Sequence, residues 1–253
     1  MDLLNKVIVI TGSGRGLGRG MATALATKGA KIAVVDLNED DIATTVQLCK
    51  DAGSDAKGYS VNVAKEDAVE QLFSDVVADF GTLDGLINNA GITRDGLLVK
   101  AKNGVIERKM TLQQWQAVID VNLTGVFLCG REAAIKMIEL GVEEGVIINI
   151  SSLARSGSFG QTNYAAAKAG VAVMVETWAK ELARYNIRTG AIAPGTINTE
   201  MIAAMKPEAR DRLIAAVPLK RIGEPDHIAK SAIFIFENDY FTGRVIETDG
   251  GLR

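Results

Sequence analysis

Tyr164 and Lys168 stand four residues apart in Asn163-Tyr164-Ala-Ala-Ala-Lys168, an alanine-rich stretch of high helix propensity, so a phenol and an ammonium share one helical face. Such a pair can move a proton. A free phenol has a pKa near 10, and using it at neutral pH takes about 4 kcal/mol of preferential stabilisation of phenolate, much of which a neighbouring fixed cation can supply. The spacing alone equally fits an exposed Tyr/Lys pair without a role. The remainder of the chain has to decide, through the elements that would hold these two side chains in place.

The chain has 253 residues, 47% hydrophobic and 23% charged, enough for one large core. A net charge of −3 argues against nonspecific nucleic-acid binding, and no apolar run approaches the length of a bilayer span. Neither nucleic acid nor membrane is expected as a partner. The N-terminus enters the apolar run Val7-Ile-Val-Ile10 without a basic leader, which predicts a cytoplasmic protein. Cys49 and Cys129 both fall in helical patterns and read as packed thiols. His227 is the sole histidine, which excludes a His-rich metal site, and it follows Glu224-Pro-Asp at an expected helix start.

Short β-branched runs recur at Lys6 to Thr11, Lys31 to Asp36, Ala56 to Asn62, Gly85 to Asn88, Gly145 to Ser151, Arg188 to Ala193 and Arg244 to Thr248, with helical patterns between them. Strands apolar on both faces and separated by helices predict a single α/β domain over residues 1–253, a Rossmann-type doubly wound parallel sheet of about seven strands with helices on both faces. Ligands in such folds bind beyond the carboxyl ends of the strands. The first strand runs into Thr11-Gly12-Ser13-Gly14-Arg15-Gly16-Leu17-Gly18, and a helix is expected over Met21 to Lys28. Its glycines permit a tight turn and close approach of backbone to a pyrophosphate at a helix N-terminus. The second strand ends at Asp36, where a carboxylate can accept hydrogen bonds from an adenosine ribose. Together they favour a dinucleotide over a bare turn.

Thr11 to Gly18, Asn88-Asn89-Ala90-Gly91, Asn122 in Asp-Val-Asn-Leu-Thr-Gly, the serines ending Val-Ile-Ile-Asn-Ile-Ser151-Ser152, Tyr164-x-x-x-Lys168 and Pro194-Gly195-Thr196-Ile197-Asn-Thr199 follow in that order. In order and context they resemble the short-chain dehydrogenase/reductase family over essentially the whole chain. Asn88 to Asp95 and Gly160 to Gly170 are most similar to its 3-oxoacyl-thioester reductases, including those acting on acyl carrier protein. The resemblance implies that Tyr164 exchanges a proton with the substrate oxygen, while Lys168 stabilises phenolate and holds the nicotinamide ribose. Asn122, in a helix starting near Thr111, would position a relay water through its carbonyl, and a serine would polarise the substrate carbonyl. Counting back from Tyr164 selects Ser151, whereas aligning the strand end selects Ser152. Adjacent strand residues face opposite ways, and loops absorb deletions more readily than buried strands shift register, so Ser152 is preferred.

For the cofactor, the resemblance places Gly12, Gly14, Gly16, Leu17 and Gly18 at the pyrophosphate, Asn62 and Val63 beside adenine, and Asn89, Ala90 and Gly91 at the adenine ribose. Pro194, Gly195, Thr196, Ile197 and Thr199 would border the nicotinamide. Asp36 would bond the ribose hydroxyls of NAD and repel a 2′-phosphate, whereas Arg15 is a cation suited to meeting that phosphate. The expectation is NAD(H), with NADP(H) open through Arg15.

Three features depart from the closest pattern or extend it. Carrier-protein reductases offer arginines near the mouth of the site, and here Glu143 and Glu144 occupy one such neighbourhood, with Arg184 or Arg188 as substitutes at the other. A coenzyme A thioester or a small ketone or alcohol therefore competes with a carrier-bound substrate. An insertion at 99–109 alternates apolar and charged residues around Asn103-Gly104, predicting a basic β-hairpin. The stretch 196–219, with Met201, Ile202, Met205, Leu213 and Ile214, predicts a lid whose residues from Thr199 to Leu219 are helical. Family resemblance also implies a homotetramer. The activity so implied is NAD(P)-dependent reduction of a 3-oxoacyl thioester. The alternatives are a dehydrogenase of a small secondary alcohol and a non-catalytic dinucleotide-binding protein.

Overall fold

In the strand β1 (Val7–Thr11) every residue is buried, and its side chains alternate between two cores. Ile8 and Ile10 join one cluster, Val7 and Val9 the other. That two-sided burial is what a central parallel strand requires. A computed structural model describes residues 1–203 and 205–252, without the side chains of Met201 and Ala203. After β1 come α1 (Gly16–Ala26), β2 (Lys31–Asp36), α2 (Glu39–Asp51), β3 (Ala56–Ser60), α3 (Glu66–Phe80) and β4 (Gly85–Asn88). The chain continues through β5 (Val99–Lys102), β6 (Val105–Lys109), α4 (Leu112–Ile119), a π-helical turn (Asp120–Thr124), α5 (Gly125–Glu139), β7 (Gly145–Ile150) and α6 (Thr162–Leu182). It closes with β8 (Ile187–Pro194), α7 (Glu200–Ala203), α8 (Pro207–Ala216), α9 (Pro225–Glu237) and β9 (Arg244–Thr248).

Seven strands form one parallel sheet in the order β3-β2-β1-β4-β7-β8-β9, the architecture expected from the sequence. One face is covered by α1, α2 and α9, whose Met21, Leu25, Ile42, Ile228 and Phe236 pack on the isoleucines of β1, β2, β4, β7 and β8. The other is covered by α3, α5 and α6, through Leu72, Phe73, Leu128 and Trp178. Burying side chains of this size stabilises the fold by roughly 2 kcal/mol each. The winding reverses between β1 and β4, so the loops after these strands diverge and leave a crevice.

Local chemistry sets the element ends. Thr111 caps α4 in a reciprocal box with Gln114, and Gly81, at φ +78°, ends α3 in the left-handed region that glycine enters freely. Three expected boundaries differ. The helix α1 begins at Gly16 rather than Met21, so the last glycines of the turn form its first turn. The strand β3 stops at Ser60, where Asn62 turns the chain by accepting the Ala64 N–H. The helix expected from Thr199 to Leu219 is two helices, because Pro207 lacks an N–H and starts α8. Ala204, within that stretch, and the Met201 side chain lie outside the described part. The hairpin strands β5 and β6 pair antiparallel around Asn103-Gly104, both at positive φ, with an irregularity at Lys100/Ala101.

Candidate active site

The two loops of the crevice are fastened to each other. Thr11 Oγ1 accepts the N–H groups of Asn89 and Ala90 at 3.0 and 3.1 Å, and Asn89 Nδ2 donates to the carbonyls of Thr11 and Gly12 at 3.0 and 2.8 Å. At Gly12, with φ +63°, a Cβ would meet Ala90 Cα at 2.7 Å, so a side chain there would force the loops apart. Beyond it the backbone is open: Gly16 holds φ +57° with nothing within 4 Å of an added Cβ. The first turn of α1 carries no side-chain cap, leaving its N–H groups without intrahelical acceptors. Free donors at a helix N-terminus beside an open glycine backbone fit a diphosphate.

Asp36 closes the end of β2. Its Oδ2 accepts the Gly14 N–H at 2.9 Å and its Oδ1 the Leu37 N–H at 2.7 Å, so it props the turn while lone pairs remain for a ribose. A residue that sequence reasoning missed braces the same turn. Arg19 donates to the Gly14 carbonyl and to Thr45 Oγ1 (3.0 Å) and pairs with Asp41 at 3.3 Å. In the sequence it is one more polar helical position, with no spacing to distinguish it. Arg15 instead points outward, 3.4 Å from Glu200 in α7, with both side chains about two-thirds exposed. Asn62 is exposed, and Val63 is buried where a Cβ on Gly125 would touch it.

Tyr164 and Lys168 lie in the first two turns of α6, under the end of β7. Lys168 is buried and donates to the Ile150 carbonyl at 2.6 Å, its Nζ 5.6 Å from the centre of the Tyr164 ring. Burial draws its pKa down to about 8. The Tyr164 phenol moves the opposite way: burial pushes its pKa up, a hydrogen bond with Ser152 opposes this, and the charge of Asp95 adds to the rise. The Lys168 ammonium is engaged by Ile150, and for the phenol burial is the largest influence, which favours its proton-bearing form.

The two serines separate cleanly. Ser151 is buried, with Oγ donating to the Lys168 carbonyl at 2.7 Å and its N–H to Ile192. Ser152 ends the strand in extended conformation, accepts the Ala154 N–H at 3.1 Å and turns its hydroxyl toward Tyr164. Asn122 sits in the π-turn, fully buried, and its amide clamps Ile92 through both N–H (2.8 Å) and C=O (2.9 Å). A second missed residue is Asn163. It is buried, accepts the Tyr164 N–H at 2.8 Å and donates to the carbonyls of Arg94 (3.1 Å) and Gln114 (3.0 Å). Its position next to Tyr164 was the available signal.

Two segments border this centre. Gly96 N–H donates to the Gly160 carbonyl at 2.8 Å, and Gln161 Nε2 reaches both oxygens of Asp95 at 3.2 and 3.1 Å. Leu98 and Phe159 flank that junction and are exposed. On the other side Pro194 ends β8, and Gly195 passes so close to Asp249 that a Cβ would lie 2.6 Å from its Cα. Ile197 is buried, Thr199 is half-buried, and Thr196 and Asn198 exchange backbone hydrogen bonds with Gly223 at 2.9 and 2.7 Å.

The acidic pair expected at the mouth is elsewhere. Glu143 and Glu144 precede β7, at the amino end of the sheet, whereas Tyr164 lies beyond its carboxyl end. Arg184, past the far end of α6, is roughly 30 Å along the helix from Tyr164 at 1.5 Å per residue. Arg188 is buried and bonded to Glu144 and to three backbone carbonyls. Adjacency to the serine strand in sequence does not say which end of it a residue occupies.

A family profile described as enoyl-(acyl carrier protein) reductase matches residues 12–253. The chain is 40% identical to the 3-oxoacyl-[acyl-carrier-protein] reductase FabG of Thermotoga maritima, over all of this chain and 99% of the relative. It is 38% identical to the protein of that name from Chlamydia muridarum, covering 99% and 98%. Among solved structures it resembles an NAD+-bound xylitol dehydrogenase with a TM-score of 0.89 and 26% identity, covering 99% of this chain and all of the other. Full-length matches of this kind, on a doubly wound sheet with these loops at its carboxyl ends, place the chain in the short-chain dehydrogenase/reductase family of oxidoreductases.

Proposed function

We propose that the protein reduces a 3-oxoacyl thioester to the 3-hydroxyacyl thioester with a reduced nicotinamide dinucleotide. The observation that carries this reading is the half-buried phenol of Tyr164, hydrogen-bonded with Ser152 and with the Lys168 ammonium 5.6 Å from its ring centre. A neutral phenol is a proton donor, which suits reduction. A reduced nicotinamide bound beside Tyr164 would supply hydride to the carbonyl carbon. Tyr164 then delivers its proton to the oxygen as the C=O π pair moves onto it, and Ser152 donates a hydrogen bond to the same oxygen. Lys168 holds the nicotinamide ribose and limits the cost of the phenolate left behind. Asn122 keeps the Ile92 loop in place through its side chain, and its backbone carbonyl would hold a relay water.

The remaining assignments follow the family resemblance. Gly12, Gly14, Gly16, Leu17 and Gly18 take the diphosphate, Asp36 the adenosine ribose, Asn62, Val63, Asn89, Ala90 and Gly91 the adenosine, and Pro194 to Thr199 the nicotinamide. Asp36 sits where a 2′-phosphate would go and Arg15 is turned to Glu200, so the lean is to NAD(H), with NADP(H) reached if Arg15 swings back. The relatives named above act on carrier-bound substrates, which favours acyl carrier protein over coenzyme A. Exposed Phe127, Ile135, Ile138 and Val173 on α5 and α6 are apolar side chains a second copy could cover, which supports a homo-oligomer. The test is steady-state turnover of acetoacetyl-coenzyme A and a carrier-bound 3-oxoacyl substrate, each with NADH and NADPH. Reduction of at least one is expected. Inactivity on both, with oxidation of a secondary alcohol by NAD+, would overturn the reading in favour of an alcohol dehydrogenase.

A further inference from the structure

We infer that the ribbon of β5 and β6 is a docking arm for an acidic carrier protein, holding that protein through the cations of one face while its thioester enters the active site. The inference rests on the reductase reading above and concerns how the substrate arrives, so it can fail while that reading stands.

Packing does not account for this ribbon. Every residue of β5 and β6 is exposed, and a two-stranded hairpin without a packed face is marginally stable in water. Its register sets Lys100 directly opposite Arg108, a pairing of like charges that weakens a ladder. Cross-strand partners share a face, so Lys100, Lys102 and Arg108 lie on one side and Val99, Ala101 and Ile106 on the other. Lys100 is answered by Glu107 at 2.7 Å, whereas among the described residues the side chains of Lys102, Arg108 and Lys109 meet no carboxylate. Four cations against Glu107 leave the ribbon three charges positive on a chain whose net charge is −3. At its root Arg94 and Asp95 cancel in charge, and Asp95 is bonded by Gln161.

The root ties the ribbon to the catalytic helix. Gly96 donates to the carbonyl of Gly160, four residues before Tyr164, and the Met110 N–H closes the base on the Leu98 carbonyl at 3.1 Å. The helix α4, which packs against α6, follows at once. Leu98, Leu112 and Phe159, at or beside these bonds, are exposed, Phe159 to 91%. Apolar side chains beside unpaired charges are the composition of a protein interface.

The form of the arm selects among anions. A nucleotide or a free phosphate takes a concave site, and a ribbon exposed on both faces offers none, whereas a protein surface can lie along it. A second copy meeting it across a two-fold axis would set ribbon against ribbon and cation against cation. An acidic carrier answers the charge, and its approach is steered to the edge of the site where its substrate is needed.

The experiment measures kcat/KM for acetoacetyl-carrier protein, acetoacetyl-coenzyme A and ethyl acetoacetate in the wild type and in Lys102→Glu/Arg108→Glu, at low and high salt. The variant is expected to lose about tenfold or more on the carrier substrate, through KM, and to keep its rate on ethyl acetoacetate. Added salt should weaken the wild type on the carrier substrate and leave the variant nearly flat. Carrier binding read by fluorescence anisotropy should follow the same pattern without turnover. An unchanged carrier kcat/KM in the variant would overturn the proposal, as would an equal loss on ethyl acetoacetate. An equal loss on acetoacetyl-coenzyme A would give the cations to nucleotide phosphates and overturn it too. So would a matching loss in Ile106→Ser, on the reverse face, accompanied by altered sedimentation, since the ribbon would then be a contact between copies. A wild type that reduces none of the three substrates would instead overturn the reductase reading, with anisotropy still reading the docking.

Discussion

Two buried cations, Lys168 and Arg188, sit at opposite ends of the same parallel sheet and are treated in opposite ways. Arg188, at the amino end, donates to the carbonyls of Ile235 (2.8 Å), Phe236 (2.9 Å) and Phe241 (3.0 Å) and forks onto Glu144 at 2.7 and 3.1 Å. Burial pushes the Glu144 carboxyl up, but Arg188 and the Met1 α-ammonium outweigh it and hold the group below its ordinary value. Every charge there has an answering charge. Lys168, at the carboxyl end, has the Ile150 carbonyl and, among the described residues, no carboxylate. A fully answered cation is part of the architecture. A cation with one neutral partner and a depressed pKa is a strained group held ready for a ligand.

That contrast can be broken by substitution at either end. The largest effect belongs to the carboxyl end, where Tyr164→Phe should lower kcat by about a thousandfold while cofactor binding, read by fluorescence titration, stays within a few-fold. Turnover near the wild-type rate would remove the phenol from the chemistry. At the amino end Arg188→Met leaves Glu144 with only the Met1 α-ammonium and the Ile235 and Phe241 carbonyls without their Arg188 donor, and should cost roughly 3 kcal/mol of stability in urea unfolding with kcat of the folded enzyme unchanged. A loss of kcat without a loss of stability would erase the distinction between the ends.

Lys168→Met should do the reverse and abolish turnover while making the apoprotein more stable at pH 7, by up to about 3 kcal/mol. The sign follows from the direction of its shift. With the folded pKa lowered from 10.5 to about 8, the native state binds fewer protons than the unfolded state between those values. Wild-type stability should therefore rise with pH across that window, and the methionine variant should lack the rise. Parallel pH–stability curves would show that Lys168 is as well answered as Arg188.

The sheet and the glycine turn were legible in the sequence because their signals are local: two-sided apolar strands, and glycines where positive φ or close approach is needed. Tyr164, Lys168 and Asp36 could be named for the same reason. The break at Lys206-Pro207 was equally local and should have been read from the proline. Arg19 was not legible, and Asn163 only as the neighbour of Tyr164, because their importance lies in bonds to the Gly14 carbonyl and the Arg94 carbonyl, which only the folded chain brings near. Glu143 and Glu144 were misplaced for a third reason: nearness in sequence to β7 gives no direction along it. The rise in the Tyr164 pKa was missed because burial, which dominates it, is a property of packing.

The π-turn at Asp120–Thr124 also sets a phase. An α-helix advances about 100° per residue, so accommodating one extra residue rotates everything beyond it by about that angle relative to a straight continuation. The rod that begins as α4 packs against α6, and the rod that continues as α5 packs against α3, on a different side. One uninterrupted helix could not present its apolar stripe to both neighbours. The irregular turn is thus the joint that lets a single stretch of chain face the catalytic helix at one end and the outer layer of the sheet at the other.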